Sequence, residues 1–333
     1  MEEFFNPSGT SLLVPSVQEL VKERISEVPQ RYVQPQHEDM VVISKEVNSG
    51  LQIPVIDMQN LLSLESGSSE LDKLHFACKE WGFFQLINHG LSFSLLEKVK
   101  LEMQDFFNLP MSEKRKLWQS PQHMEGFGQA FVISADQKLD WGDLFYMTTL
   151  PTHSRMPHLF PQLPLPFRDT LEIYLWNMKN IAMVIIAHIR KALRIEEMEI
   201  MELFEDGLGL TILLQVNDVE GLQIRKDEAW VPIMPMPNAF VVNVGDILEI
   251  MTNGIYRSIE HRATVNSEME RLSIATFYSP RQDVLIGPLP SLITKQTPAQ
   301  FKSIGTKQYF KDFFARKLEG KSHRDVMRIK HQN

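Results

Sequence analysis

The sequence predicts a mixed α and β chain in which helices pack around a β-sandwich or jelly roll. Three observations predict it. Apolar residues recur at helical spacing through much of residues 16–193. Beyond residue 207 the texture changes to short β-branched and apolar segments divided by turn residues. Hydrophobic residues make up 43% and charged residues 23% of the 333, the balance of an ordinary globular protein with a core to bury. Helices first and strands later give the layered arrangement.

The elements follow in order. Ser16 stands three residues before Glu19, a capping-box spacing, and starts a helix that runs toward Val28-Pro29. Residues 33–50 are polar and irregular and read as a surface linker. Ile53-Pro54-Val55-Ile56-Asp57 is a short strand. Residues 71–81 are helical by periodicity, and residues 82–90 form a strand that stops at a turn. Residues 95–107 make an amphipathic helix, and Ser112 begins another. The proline-rich stretch 150–166 excludes regular structure. Leu171, Leu175, Met178, Ala182, Ile185, Ile189 and Leu193 then recur at three and four, one apolar face of a long core helix.

Residues 210–216 read as a strand. Residues 222–224 and 230–233 flank the polar turn Lys226-Asp227-Glu228 as a hairpin. Residues 239–244 form a strand closed by Gly245-Asp246, and Asn253-Gly254 is a turn. Residues 271–278 are a strand, and residues 306–327 return to helix. The chain divides into a helical and mixed region (1–150), a loop and long helix (151–205), a jelly-roll core (206–285) and a C-terminal helical region (286–333).

Charge and composition exclude several classes. A net charge of -8 leaves no electrostatic footprint for nucleic acid. The basic stretch at residues 316–330 reads as a solvated helix face. No run of eighteen apolar residues is present to span a membrane. The acidic N-terminus lacks the basic start of a secretory signal. Cys78 is the single cysteine, which excludes an intrachain disulfide and a cysteine-based zinc site and suits a reduced compartment. The expectation is a cytoplasmic monomer acting on a small molecule, with neither nucleic acid nor membrane as partner.

Two features suit chemistry. Arg271 and Ser273 fall on one face of a strand, where a guanidinium fork and a hydroxyl together suit a carboxylate. The same pattern also suits an edge-strand arginine in solvent. His261, in Ser258-Ile259-Glu260-His261-Arg262, lies on a strand after the Asn253-Gly254 turn; a lone histidine serves more often as a hydrogen-bonded structural residue than as a ligand. A histidine on one strand and Arg-x-Ser on the next can hold a metal beside a chelating acid.

With these residues in hand, the chain resembles the plant 2-oxoglutarate- and Fe(II)-dependent dioxygenases, in the branch of senescence-related proteins and alkaloid O-demethylases. The matching stretches run nearly end to end: Ile53-Pro54-Val55-Ile56-Asp57, Trp81-Gly82-Phe83-Phe84-Gln85, Asn88-His89-Gly90, Glu125-Gly126-Phe127-Gly128-Gln129, Leu139-Asp140-Trp141, Gly209-Leu210-Thr211-Ile212-Leu213-Leu214-Gln215, Asn243-Val244-Gly245-Asp246, Ser258-Ile259-Glu260-His261-Arg262 and Arg271-Leu272-Ser273. The resemblance implies a distorted double-stranded β-helix, or jelly roll, flanked by helices. It implies Fe(II), 2-oxoglutarate and ascorbate as cofactors. It implies oxidation of a small plant specialised metabolite, by hydroxylation or O-demethylation, coupled to conversion of 2-oxoglutarate to succinate and CO₂.

Residue by residue, His261 matches the family's distal metal ligand, and Arg271 and Ser273 match the pair that binds the far carboxylate of 2-oxoglutarate. The family's other ligands come from an H-x-D motif just before the Gly209–Gln215 run. Here that place reads Phe204-Glu205-Asp206-Gly207-Leu208. Asp206 occupies the carboxylate position by spacing, while Phe204 stands where the histidine belongs and has no lone pair for a metal. The family's Asn-Tyr-Tyr-Pro-Pro-Cys segment has no counterpart. Roughly thirty residues, two or three strands' worth, are expected to be missing from the jelly roll. In that case Asp206 belongs to the end of the helical half and only mimics a ligand. His37-Glu38-Asp39 and His123-Met124-Glu125 repeat the motif's letters away from the strands. Two functions remain open: an oxidising enzyme, or a truncated homologue that binds without turnover.

Overall fold

The computed structural model describes residues 11–23, 25, 27–34, 52–120, 123–129, 132, 134–196, 209–315 and 322–329. Helix α1 (Val17–Lys22) starts as the sequence requires: the Glu19 N–H donates to Ser16 Oγ at 3.4 Å. Asp143 adds a second cap, accepting from the N–H groups of Val17 and Gln18. The helix stops at Lys22, short of Pro29, because a surface helix of one and a half turns has little apolar face to bury.

Strand β1 (Val55–Asp57), helix α2 (Met58–Leu61) and helix α3 (Gly67–Phe76) follow. The helix predicted to reach residue 81 ends in a wider turn over Ala77–Trp81. Gly82 then reverses the chain at φ 61°, where a Cβ would sit 2.2 Å from the Arg257 carbonyl oxygen, so no other residue fits. Next come β2 (Phe83–Ile87), α4 (Phe93–Phe107), α5 (Met111–Lys114), β3 (Gly126–Gly128) and β4 (Leu144–Tyr146). The proline-rich stretch yields only short single turns before α6 (Leu165–Leu193), which opens with Pro166 in its first turn.

Helix α6 buries Leu171, Leu175, Met178, Ala182, Ile185 and Ile189, the stripe read from the sequence. It packs on α3 and α4. Each of its larger buried side chains contributes about 1.5–3 kcal/mol.

The remaining strands are β5 (Leu210–Gln215), β6 (Leu222–Lys226), β7 (Ala229–Pro232) and β8 (Phe240–Val244). After α7 (Asp246–Met251) come β9 (His261–Ala263) and β10 (Ser273–Tyr278). The chain closes with β11 (Leu285–Ile286), β12 (Ile304–Gly305), α8 (Thr306–Phe314) and α9 (Ser322–Met327). The β6–β7 hairpin turns through Asp227 and Glu228, both at positive φ, the conformation a two-residue hairpin loop needs.

Two sheets face one another. The main sheet has the order β1-β2-β8-β5-β10 and the second the order β7-β6-β9. They meet through Ile53, Phe83, Leu222, Ile224, Val231 and Val241. The other face of the main sheet, with Ile212, Leu214 and Val242, joins α6 in the large core. Helix α7 is absent from the sequence reading. Its residues 247–251 are all buried, so it shows no polar face from which a helical period is legible.

Two tethers shape this half. Gly209 donates its N–H to the Tyr278 carbonyl at 2.6 Å and accepts from Gly245 N–H at 2.8 Å. It sits at φ 71° with room for no side chain, since a Cβ would lie 2.7 Å from that of Ile247. Glu249, 3% exposed, accepts from Ser258 N–H at 2.8 Å and pairs with Arg324 and Arg328, which docks α9 against α7. Among the described residues, no helix is long and apolar enough to cross a membrane.

Candidate active site

Arg271 and Ser273 lie where β10 begins. The strand starts at Ser273 rather than at residue 271, because Leu272 spends its N–H on the Asn217 side chain at 3.0 Å. The expected shared face is nevertheless present: Arg271 Nη1 points to Ser273 Oγ at 3.4 Å. Its Nη2 points to Gln215 Oε1, also at 3.4 Å. Both contacts are long and weak. Gln215 is itself held, its amide donating to the carbonyls of Asn217 and Val219. Asn217 in turn donates to the Glu270 carbonyl, so both flanks of Arg271 are fastened to the loop after β5.

The guanidinium is half-buried, and its Nε has no hydrogen-bond partner. Among the described residues no carboxylate forms an ion pair with it. Burial lowers its pKa from the usual value, the direction desolvation drives a cation. A partly desolvated cation without a counter-ion favours an anionic ligand. Gly221, just before β6, makes room for it: a Cβ there would stand 2.9 Å from Arg271 Cδ and 2.9 Å from the Thr264 carbonyl oxygen. The arginine thus spans from the main sheet to the second sheet. Sequence reasoning gave no role to Gln215 or Gly221. The Gln215 signal was its place at the end of the β5 run; Gly221 carries none, because its neighbours come from other strands.

His261 opens β9, paired with Ile224 on β6, three residues along the chain from Thr264, about 10 Å of strand. Its Nδ1 lies 3.2 Å from the Ile259 carbonyl, a contact in which that nitrogen donates. The ring packs edge-on against Phe83, centroids 5.2 Å apart. The strand and the imidazole geometry suit the ligand role.

The other sequence candidates separate from it. Asp206, with Phe204 beside it, lies outside the described residues, as does His37-Glu38-Asp39. Glu125 is buried and accepts from Thr148 N–H and Oγ1, a structural task. A third set of motif letters, His323-Arg324-Asp325, went unread; His323 packs between the rings of Tyr309 and Phe313, and Arg324 serves Glu249 and Asp325. Among the described residues, no three His, Cys, Asp or Glu side chains gather as a metal site. Arg271 and Ser273 have the chemistry to hold a carboxylate, and among the described residues His261 belongs to no set of three metal-ligating side chains.

Comparison with known proteins agrees with the fold. Residues 53–163 match the family described as non-haem dioxygenase in morphine synthesis N-terminal, and residues 195–280 match the 2OG-Fe(II) oxygenase superfamily. Protein SRG1 of Arabidopsis thaliana is 52% identical over 350 aligned positions, covering 96% of this chain and 98% of the relative. Codeine O-demethylase of Papaver somniferum is 51% identical over 351 positions, with the same coverage of each. Since 96% of 333 residues is about 320, the 350 positions of the first alignment exceed the aligned residues of this chain by about 30. The crystal structure of JOX2 in complex with 2OG, Fe, and JA superposes with a TM-score of 0.83 at 28% identity, covering 98% of this chain and 99% of that one. These neighbours share the mixed α and β architecture with a double-stranded β-helix core. By its two matched regions and its near full-length likeness to these relatives, the chain belongs to the 2OG-Fe(II) oxygenase superfamily, whose members use 2-oxoglutarate and iron.

Proposed function

We propose that this protein anchors 2-oxoglutarate through Arg271 and Ser273 and acts in the oxidation of a small plant metabolite, by hydroxylation or by O-demethylation of a methoxy carbon. One observation carries the reading: a half-buried guanidinium with an unpartnered Nε, a neighbouring hydroxyl and, among the described residues, no carboxylate paired with it. Gln215 holds the fork from one side, and Gly221 leaves the space it lies in. His261 stands on the facing sheet, opposite Ile224. The O-demethylation arm rests on the likeness to codeine O-demethylase.

A second reading is favoured by the surplus of about 30 aligned positions. Here the protein is a shortened homologue whose iron site lacks its H-x-D, so that it binds 2-oxoglutarate without turning it over. Titration calorimetry with 2-oxoglutarate and a succinate assay with Fe(II) separate the two. Binding should weaken by about 1–3 kcal/mol in Arg271→Lys, which keeps the charge but loses the fork. Succinate that disappears in His261→Ala upholds the first reading. Binding without succinate upholds the second. Wild-type protein that takes up no 2-oxoglutarate sinks both.

A further inference from the structure

The main sheet ends at β10, whose one strand neighbour among the described residues is β5. The hydrogen bonds say which way each backbone group points. The carbonyls of Leu272 and Tyr278 accept from Val216 and Gly209 on the β5 side. In an antiparallel pair, residues that aim both backbone groups at the partner alternate with residues that aim both away. Positions 272, 274, 276 and 278 therefore face β5. The N–H and C=O groups of Ser273, Ala275 and Phe277 face outward. Ala275 is exposed, and Phe277 is 65% exposed.

The segment itself is built to pair. Ser273–Tyr278 reads Ser-Ile-Ala-Thr-Phe-Tyr, with no charge, proline or glycine and with four β-branched or aromatic residues. Natural sheet edges are usually blunted by an inward charge, a proline, a bulge or a cover. Within these six residues β10 has no charge, proline or bulge, and no other strand among the described residues covers its outer edge.

We infer that the outer edge of β10 pairs antiparallel with the same edge of a second copy of this chain, about a two-fold axis at Ala275. The edge complements itself. Ser273 meets Phe277 of the other copy, Ala275 meets its own counterpart, and each facing pair exchanges two backbone hydrogen bonds. The smallest side chain of the outward-facing three stands on the axis. No charged residue within the strand meets a like charge. The contact is isologous, so it closes at two copies and does not propagate into a fibre. It replaces the monomer expected from sequence and joins two five-stranded sheets into one.

Sedimentation velocity of the full chain over a wide concentration range tests this. The expected result is a reversible monomer–dimer equilibrium. Ala275→Pro removes an outward N–H and leaves the bonds to β5 untouched, since proline is tolerated on an edge strand. It should raise the dimer dissociation constant more than tenfold with an unchanged circular dichroism spectrum. Ala275→Asp and Ala275→Lys place like charges on the axis, so each alone should be monomeric. Mixed in equal amounts they should dimerise, and salt should weaken the mixed dimer. A wild-type chain monomeric at every concentration overturns the inference. So does a dimer or larger aggregate that Ala275→Pro leaves intact, or a mixture that stays monomeric. Slow amide exchange at Ser273, Ala275 and Phe277 in a monomer overturns it too, because the edge is then occupied within one chain.

Discussion

Two adjacent aromatic residues on one strand live in different worlds. Tyr278 is 7% exposed and belongs to the core shared with α6; Phe277 is 65% exposed on the face that carries Ser273 and Arg271. One side of the main sheet is sealed by helices whose apolar stripe was legible from spacing alone. The other side packs in part on the second sheet, through a smaller cluster that includes Phe83 and Val241, and beside it holds a partly desolvated cation, two weak contacts and the exposed Phe277 ring. The larger core lies on the helical side and the candidate ligand chemistry on the other.

The largest expected effect breaks that contrast directly. Tyr278→Ala should cost about 3–5 kcal/mol, as loss of a large buried aromatic does. Phe277→Ala should fall within about 0.5 kcal/mol, like other exposed substitutions. Urea unfolding of both variants at a concentration where the chain is monomeric checks it. Equal losses would mean that the exposed face bears as much of the fold as the sealed one.

A smaller effect belongs to the site face. Gly221→Ala forces a methyl to 2.9 Å from Arg271 Cδ and the same distance from a backbone oxygen. The arginine must shift. We expect 2-oxoglutarate affinity to fall about tenfold, about 1.4 kcal/mol, together with a lowered unfolding midpoint, because the clash with the Thr264 carbonyl must be relieved as well. Calorimetric titration beside a thermal melt checks both.

The smallest effect is a pH dependence on the sealed side. His89 is 9% exposed, its Nε2 lies 2.8 Å from the Asn238 carbonyl, and its Nδ1 accepts from Leu91 N–H. Burial lowers its pKa below the ordinary 6.5, with the Asn238 bond opposing. Above 6.5 both folded and unfolded chains hold a neutral ring, and the histidine leaves stability unaffected. As the pH drops below 6.5 the unfolded chain takes up a proton that the folded chain refuses, so stability falls until the lowered folded pKa is reached. Unfolding free energies measured from pH 7.5 downward should decline, and His89→Gln should flatten that decline. An unchanged slope in the variant would assign it to other groups.

What was legible in the sequence divides along physical lines. Periodicity exposed α6 because Leu171, Met178 and Ile185 share one face, and it exposed β5 and the β6–β7 hairpin. It missed α7, where every side from Ile247 to Met251 is buried. The Arg271–Ser273 pair was readable because strand alternation is local. Gln215 and Gly221 were not, because their roles come from register between strands far apart in sequence. His261 was readable as a strand residue, whereas its tautomer depends on the Ile259 carbonyl. The open edge of β10 was beyond reach for the same reason: an unpaired strand is a property of topology, not of the six letters that spell it.

Gly209 carries a consequence for how such a chain changes over time. Its amide is fastened to the end of β10 and its carbonyl to Gly245, so the point where the polypeptide enters the sheets is fixed by what lies downstream. Whatever precedes it arrives at an anchored seam. Lengthening or shortening a flexible connection adds little, about 0.6 kcal/mol per doubling. Segments can therefore be gained or lost immediately upstream while the register of β5, β8 and β10 is preserved.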